Sequence, residues 1–246
     1  MLHEPSRGIF VEFVRQNAKR ILEIGPFTNP VCKGENVKYF DVMSKEKLIE
    51  RASFLKRPVY DAVHIDFISP VGDLSVVRES FDACVSCHAI EHQPDLIKHL
   101  NDIEKALDIN GKYFIIIPDK RYCFDYFIKE STIADVLEAR GRKVHTLKSV
   151  IEHRALTTHN DVQRHWLGDH GAPRYVTDPS SVNSALAEYD RASGGYIDVH
   201  AWQFNPNSFR GIVVMLNSLG LTRMKVDRIF QTSYGSNEFY AILSLG

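Results

Sequence analysis

The sequence predicts an α/β fold: a doubly wound, mostly parallel seven-stranded sheet with an antiparallel last strand and a mainly helical or loop insertion after strand five. Three observations predict it. Through residues 1–119, apolar clusters of strand length alternate with amphipathic stretches of helix length, the pattern of parallel strands covered on both faces. After residue 119 the chain turns polar, rich in His and Arg, and weakly periodic. Two strand-like segments then close the sequence, separated by the turn-rich "YGSN", and read as a hairpin.

The elements follow in order. "RILEIG" reads as a buried first strand and "VKYFDV" as the second. "SKEKLIERASFL" has helical spacing with Ser44 as N-cap, although Lys47 stands where a capping box wants Glu. "YDAVHIDFI" is the expected third strand and "FDACVSCHAI" the fourth. In "PDLIKHLNDIEKALDIN", Leu96, Ile97, Leu100, Ile103 and Leu107 repeat at helical spacing, and Gly111 marks the expected end. "KYFIIIP" is a β-branched fifth strand closed by Pro118. Beyond it, "TIADVLEARGRK" and "VNSALAEYDRAS" look helical, and "TTHNDVQRHWLGDHGAPRY" looks like a loop. "NPNSFRGIVVMLNSLGL" is an amphipathic helix before "RMKVDRIFQTS" and "EFYAILSL". The expected domains are therefore a core of 1–119 and 202–246, with a substrate-binding cap inserted at 120–201.

Composition removes several function classes. Among 246 residues, 44% are hydrophobic and 25% charged, as in an ordinary globular chain. Thirty Lys and Arg against 31 Asp and Glu leave a formal charge of −1, which gives no footprint for nucleic acid or an anionic membrane. No apolar run reaches the roughly 20 residues of a membrane helix. Four cysteines are too few for a disulfide scaffold, and "MLHEPSRGIF" lacks the pattern of a secretory signal, so a reducing cytoplasm is the expected location. Cys84-x-x-Cys87 lies in a strand, where alternation sends the two thiols to opposite faces, against a redox or zinc role.

Chemistry concentrates at the strand ends. Glu23-Ile24-Gly25-Pro26-Phe27 follows the first strand, and Gly25 lets the backbone turn close to a ligand. Asp41, with Val42, ends the second strand 18 positions beyond Glu23 and suits a pair of ribose hydroxyls. Asp66 is expected to end the third strand, followed by Phe67, a pair suited to an adenine amino group and its ring. With these residues in place, the chain resembles a class I S-adenosylmethionine-dependent methyltransferase over nearly its whole length outside the insertion. The resemblance implies that Glu23 and Gly25 form the acidic-x-Gly motif, Asp41 the ribose acid and Asp66 the adenine acid. It also implies that Ser86, Cys87 and His88 underlie the methionine part of the cofactor, and that S-adenosyl-L-homocysteine is released. "CHAIEH" with "LEIGPF" further resembles bacterial methyltransferases of sugars and surface polysaccharides.

The chain departs from the family pattern in two places. Phe27 stands where a further glycine is usual, and "TNPVCKGEN" is too short and too rich in Pro, Gly and Asn for a helix, so an irregular cofactor loop is expected. The same segment argues against a nicotinamide-dependent oxidoreductase. That fold wants Gly-x-Gly-x-x-Gly leading into a helix whose N-terminus meets a diphosphate, and "GPFTNP" has neither. A non-catalytic adenosylmethionine-binding subunit is the alternative of a different class; it would need no polar acceptor pocket.

Methyl transfer to oxygen or nitrogen needs in-line approach and often a base. His92 and His200 are the candidate bases, with Arg121 the third candidate catalytic residue, suited to an anionic group on the acceptor. Glu91, Arg121, Tyr122, Asp125 and His200 are the candidate acceptor-binding residues, and Tyr196 and Trp202 are candidates for stacking on a sugar face. Six of the eleven histidines fall at 145–200 (His145, His153, His159, His165, His170, His200), but their spacings match no compact ligand motif, and no metal is expected. The expected partner is a small polar acceptor; neither nucleic acid nor a membrane is expected.

Overall fold

The computed structural model describes residues 5–246. Seven strands form one sheet: β1 (Ile21–Ile24), β2 (Val37–Asp41), β3 (Phe67–Ile68), β4 (Phe81–Cys87), β5 (Leu107–Pro118), β6 (Met224–Phe230) and β7 (Glu238–Leu245). Their order is β3-β2-β1-β4-β5-β7-β6. β1 to β5 pair in parallel, and β7 runs antiparallel to both β5 and β6. β1 and β4, at the centre, are buried on both faces; this is why "ILEI" and "ACVS" are nearly continuous apolar runs.

Helices cover the two faces. α1 (Arg7–Asn17) and α2 (Lys45–Phe54) bury Phe10, Val14 and Leu48 against Ile21, Val85, Phe114 and Ile116. α3 (Leu96–Ala106) and α9 (Pro206–Ser218) bury Leu100, Ile103, Phe209 and Val213 against Leu22, Cys84, Ile115 and Ala241. Cys84 and Cys87 pack on opposite faces, as strand alternation requires. Between β5 and α9 the chain forms α4 (Ile133–Glu138), α5 (Leu147–Ile151), a π-helical turn (Glu152–Leu156), α6 (Val162–Trp166), α7 (Arg174–Thr177) and α8 (Ser180–Ala192). Val150, Ala185, Ile197 and Val199 give this segment a small apolar cluster of its own. Among the described residues, no helix is long and apolar enough to cross a membrane.

Several elements differ from the sequence expectation, each for a physical reason. The third strand shrinks to Phe67–Ile68, because only these residues of the segment pair in ladder register with β2. α3 stops at Ala106, and Leu107 already pairs with Phe81; Gly111 therefore lies inside β5, where a Cβ would stand 2.9 Å from the Phe81 carbonyl oxygen. The expected loop at 157–175 contains α6, capped by the Asp161 carboxylate on the Arg164 N–H. α1 carries no clear signal in the sequence, and Ser6 caps it. No helix forms between β1 and β2, as the Pro- and Gly-rich composition there predicts.

Candidate active site

Strand order reverses between β1 and β4, which opens a crevice at the carboxyl ends of these two strands. Three residues at its lips adopt left-handed backbone: Gly25 (φ 69°), Phe27 (φ 50°) and His88 (φ 50°). For Gly25 this conformation is free of strain, and the residue is needed for a second reason: a Cβ would lie 3.1 Å from the Ala89 Cβ across the crevice. Phe27 and His88 adopt it at a cost of about 1–2 kcal/mol each, the kind of strain that gathers where a fold positions chemistry.

On the β1–β2 side, two carboxylates brace the loop. Glu23 is buried and accepts from the backbone N–H groups of Val31 and Cys32, each at 2.8 Å. These bonds replace the missing helix as the restraint on residues 25–34. Desolvation dominates the Glu23 carboxyl and pushes it up to about 7, against the two N–H groups that favour its charge. Asp41 is also buried and accepts from Phe27 N–H at 3.1 Å and Val42 N–H at 2.7 Å; burial raises it to about 6. Each oxygen of Asp41 keeps acceptor capacity beyond its one backbone bond. Gly25 N–H is held by the Phe40 carbonyl at 2.8 Å, while Ile24 and Pro26 are buried.

Four expected cofactor residues are placed differently. Asp66 precedes β3 rather than ending it, and its carboxylate accepts from Tyr39 N–H at 2.9 Å, so it braces the flank of β2. Phe67 packs against the core, with Lys38 over its ring at 5.6 Å. Ser86 is fully buried and bonds the Tyr113 hydroxyl at 2.7 Å, which in turn meets His99 at 2.9 Å. Its side chain points into the sheet's core because Tyr113 is itself buried there and needs a partner. Cys87 packs against the opposite face.

On the β4 side, the 3₁₀ turn Ile90–His92 carries the acid and base groups. Glu91 is fully buried, and among the described residues neither of its carboxylate oxygens has a hydrogen-bond partner. Around its Oε1 stand His92 Nε2 at 3.8 Å, His200 Nε2 at 3.9 Å and His88 Nδ1 at 4.0 Å. The sequence placed His88 under the cofactor; here its Nε2 meets Glu238 Oε1 of β7 at 2.7 Å, and Arg7 of α1 grips the same carboxylate. Although burial opposes charge there, His88 and Arg7 hold Glu238 down to about 2. His200 is carried over from the insertion by the bonds of Ala201 and Trp202 N–H to the Glu91 carbonyl.

Asp125 and His200, both singled out in the sequence, form a buried pair, Oδ2 to Nδ1, at 2.6 Å. Burial raises the Asp125 carboxyl to about 7 and lowers His200 to about 3. An imidazole held that low is neutral in the ordinary range, which suits it to offer a lone pair rather than to keep a proton. His92 lies 3.0 Å from Asp198 through Nδ1. Burial opposes a charge on this ring, but the Asp198 carboxylate outweighs it, and His92 is raised. Asp198 and Glu238 escape sequence reasoning: each is a lone acid in no motif, brought in only by the fold.

Arg121 lies outside this cluster. Its guanidinium is engaged by buried Asp119, through Nε at 2.9 Å and Nη2 at 2.6 Å, and not by Asp125. Tyr122 stacks on Trp166 with ring centroids 3.9 Å apart, and Trp202 is buried with its Nε1–H on the Gln93 carbonyl. Tyr196 is partly buried beside Asp198.

No protein-family model matches the chain, and no curated protein matches it. Among solved structures, it is similar to the CcbJ methyltransferase of Streptomyces caelestis, at a TM-score of 0.50 and 11% identity over 98% of this chain and 94% of that one. An S-adenosylmethionine-dependent methyltransferase of Clostridium acetobutylicum gives 0.49 and 10% over 100% and 93%. The mitomycin 7-O-methyltransferase MmcR gives 0.44 and 10% over 98% of this chain and 54% of that one, so the chain spans about half its length. At such identities the likeness is one of fold, and the CcbJ match carries it: the chain has the seven-stranded Rossmann-like architecture found in methyltransferases.

Proposed function

We propose that the protein transfers the methyl group of S-adenosyl-L-methionine to a small polar acceptor and releases S-adenosyl-L-homocysteine. The observation that carries the reading is the pairing of a glycine turn with a braced carboxylate at the switch point. Gly25 leaves room that a side chain would fill, and Asp41, fixed by Phe27 and Val42 N–H, keeps acceptor capacity for two ribose hydroxyls. The loop offers no helix N-terminus for a diphosphate, which favours a cofactor without phosphate. When bound, adenosylmethionine supplies an electrophilic methyl group on a sulfonium; the chain's own residues orient it and receive the acceptor.

We place the acceptor against Glu91, His92 and His200, with residues 120–201 as the lid that excludes water and sets specificity. The density of imidazole and carboxylate groups there suits a hydroxylated molecule, and the acceptor class we favour is a sugar, nucleotide-sugar or surface-glycan precursor. Calorimetry with S-adenosylhomocysteine is the first test. Two charge-assisted hydrogen bonds contribute about 1.5–3 kcal/mol each, so Asp41→Ala is expected to weaken binding at least about a hundredfold. Unchanged affinity would remove the ribose assignment, and absence of binding to the native chain would remove the reading.

A further inference from the structure

Glu91 presents an unusual problem. A buried carboxylate ordinarily finds hydrogen bonds or a counter-charge, because taking it from water is costly. Among the described residues both oxygens lack a partner, while three imidazole nitrogens stand 3.8, 3.9 and 4.0 Å from Oε1. These separations are too long for hydrogen bonds. They are close to what donors around a shared centre require: ligands about 2.0–2.1 Å from a tetrahedral ion stand about 3.4 Å apart.

The outer ring nitrogens each face a carboxylate. His88 Nε2 hydrogen-bonds Glu238 at 2.7 Å and His200 Nδ1 hydrogen-bonds Asp125 at 2.6 Å, while His92 Nδ1 stands 3.0 Å from Asp198 without hydrogen-bond geometry. Each imidazole therefore has one nitrogen against a carboxylate and the other turned to Glu91. That is the carboxylate–histidine pattern which orients imidazoles toward a metal and raises their basicity. Arg7 on Glu238 and Arg51 on Asp198 anchor two of these outer acids in turn.

We propose that Glu91, His92 and His200, whose ligand atoms lie within 4.8 Å of one another, bind one divalent transition-metal ion at the carboxyl end of β4, with His88 beside the site at its rim. Two imidazoles and a carboxylate suit a zinc-, iron-, cobalt- or nickel-like ion better than the all-oxygen preference of magnesium or calcium. Glu91-His92 is the compact half of the site, and His200 closes it from 108 positions further on. The sequence expectation of no metal rests on the spacing of the insertion's histidines, only one of which takes part. A role for the ion, binding an acceptor hydroxyl and easing loss of its proton, rests on the methyl-transfer reading; ion binding itself does not.

The test uses the full chain, stripped with a chelator and titrated with Zn²⁺ and separately with Mn²⁺ by calorimetry. One equivalent is expected to bind and to raise Tm. Glu91→Gln keeps the shape of the side chain and is expected to lose the site while the metal-free protein stays folded. Should that variant fail to fold, His92→Ala is the second, and Asp125→Asn is expected to weaken binding about 10–100-fold. A folded, stripped protein that takes up no ion overturns the proposal. So does equal affinity in the folded ligand variants, which would put the ion on exposed histidines. Adenosylhomocysteine binding, measured on the same stripped samples, reports separately on the cofactor reading.

Discussion

The two sides of the crevice treat their carboxylates in opposite ways. At β1 and β2, every oxygen of Glu23 and Asp41 meets a backbone N–H from the loop between those strands or the residue after β2. At β4, Asp125, Asp198 and Glu238 each face an imidazole, and Glu91 at the centre has no hydrogen-bond partner among the described residues. A carboxylate satisfied by its own chain shapes a loop and leaves a rigid surface for a ligand to meet. A buried carboxylate ringed by imidazoles fixes little by itself and is complete only with something between them. Under the proposed function, the first side would recognise and the second react.

His200→Ala should separate the sides most sharply. Removing a group of this kind commonly costs about 10²–10⁴ in rate, and turnover is expected to fall in that range. Adenosylhomocysteine affinity should stay within about twofold, because no Asp41 or Gly25 contact is touched. A parallel fall in affinity would break the comparison by merging the two sides.

Glu23 gives a smaller effect. Its carboxyl, raised from 4.5 to about 7, keeps in the folded state a proton that the unfolded chain has already released. This contribution to stability is complete below pH 4.5 and is lost as pH rises through 7. Between pH 4 and pH 8, the native protein should lose about 3 kcal/mol relative to Glu23→Gln, since each pH unit between the folded and unfolded values corresponds to about 1.36 kcal/mol. A constant difference between the two proteins would mean that the Val31 and Cys32 N–H groups outweigh burial, and that the first side is braced by a permanent charge.

The sheet was legible because its signals are periodic: "KYFIIIP", "ILEI" and the terminal hairpin each announce a strand locally. Asp41 was legible as an acid at the end of such a strand. Asp66 stands before β3 rather than at its end, because "YDAVHIDFI" has strand composition but only Phe67 and Ile68 pair in register with β2. Nothing local in the sequence reveals that Ser86 bonds the Tyr113 hydroxyl on the adjacent strand. Asp125 and His200 each stand out separately, but their pairing joins positions 75 apart and could not be read from either. Asp198 and Glu238 have no local signal: they matter only through the imidazoles they touch.

The Glu238 carboxylate ties α1 to β7 and to the turn after β4, through contacts spanning 231 and 150 positions. The Asp41–Phe27 contact spans 14. Closing long loops costs more chain entropy and is slow, so the consequence is one of timing during folding. In refolding followed by pulsed hydrogen exchange, the Phe27 amide is expected to gain protection before the β5–β7 ladder; the reverse order would refute this. A chain assembled in that sequence would form the Gly25–Asp41 loop while the imidazole nest is still open to water, and the pairing of β7 with β5 would close it.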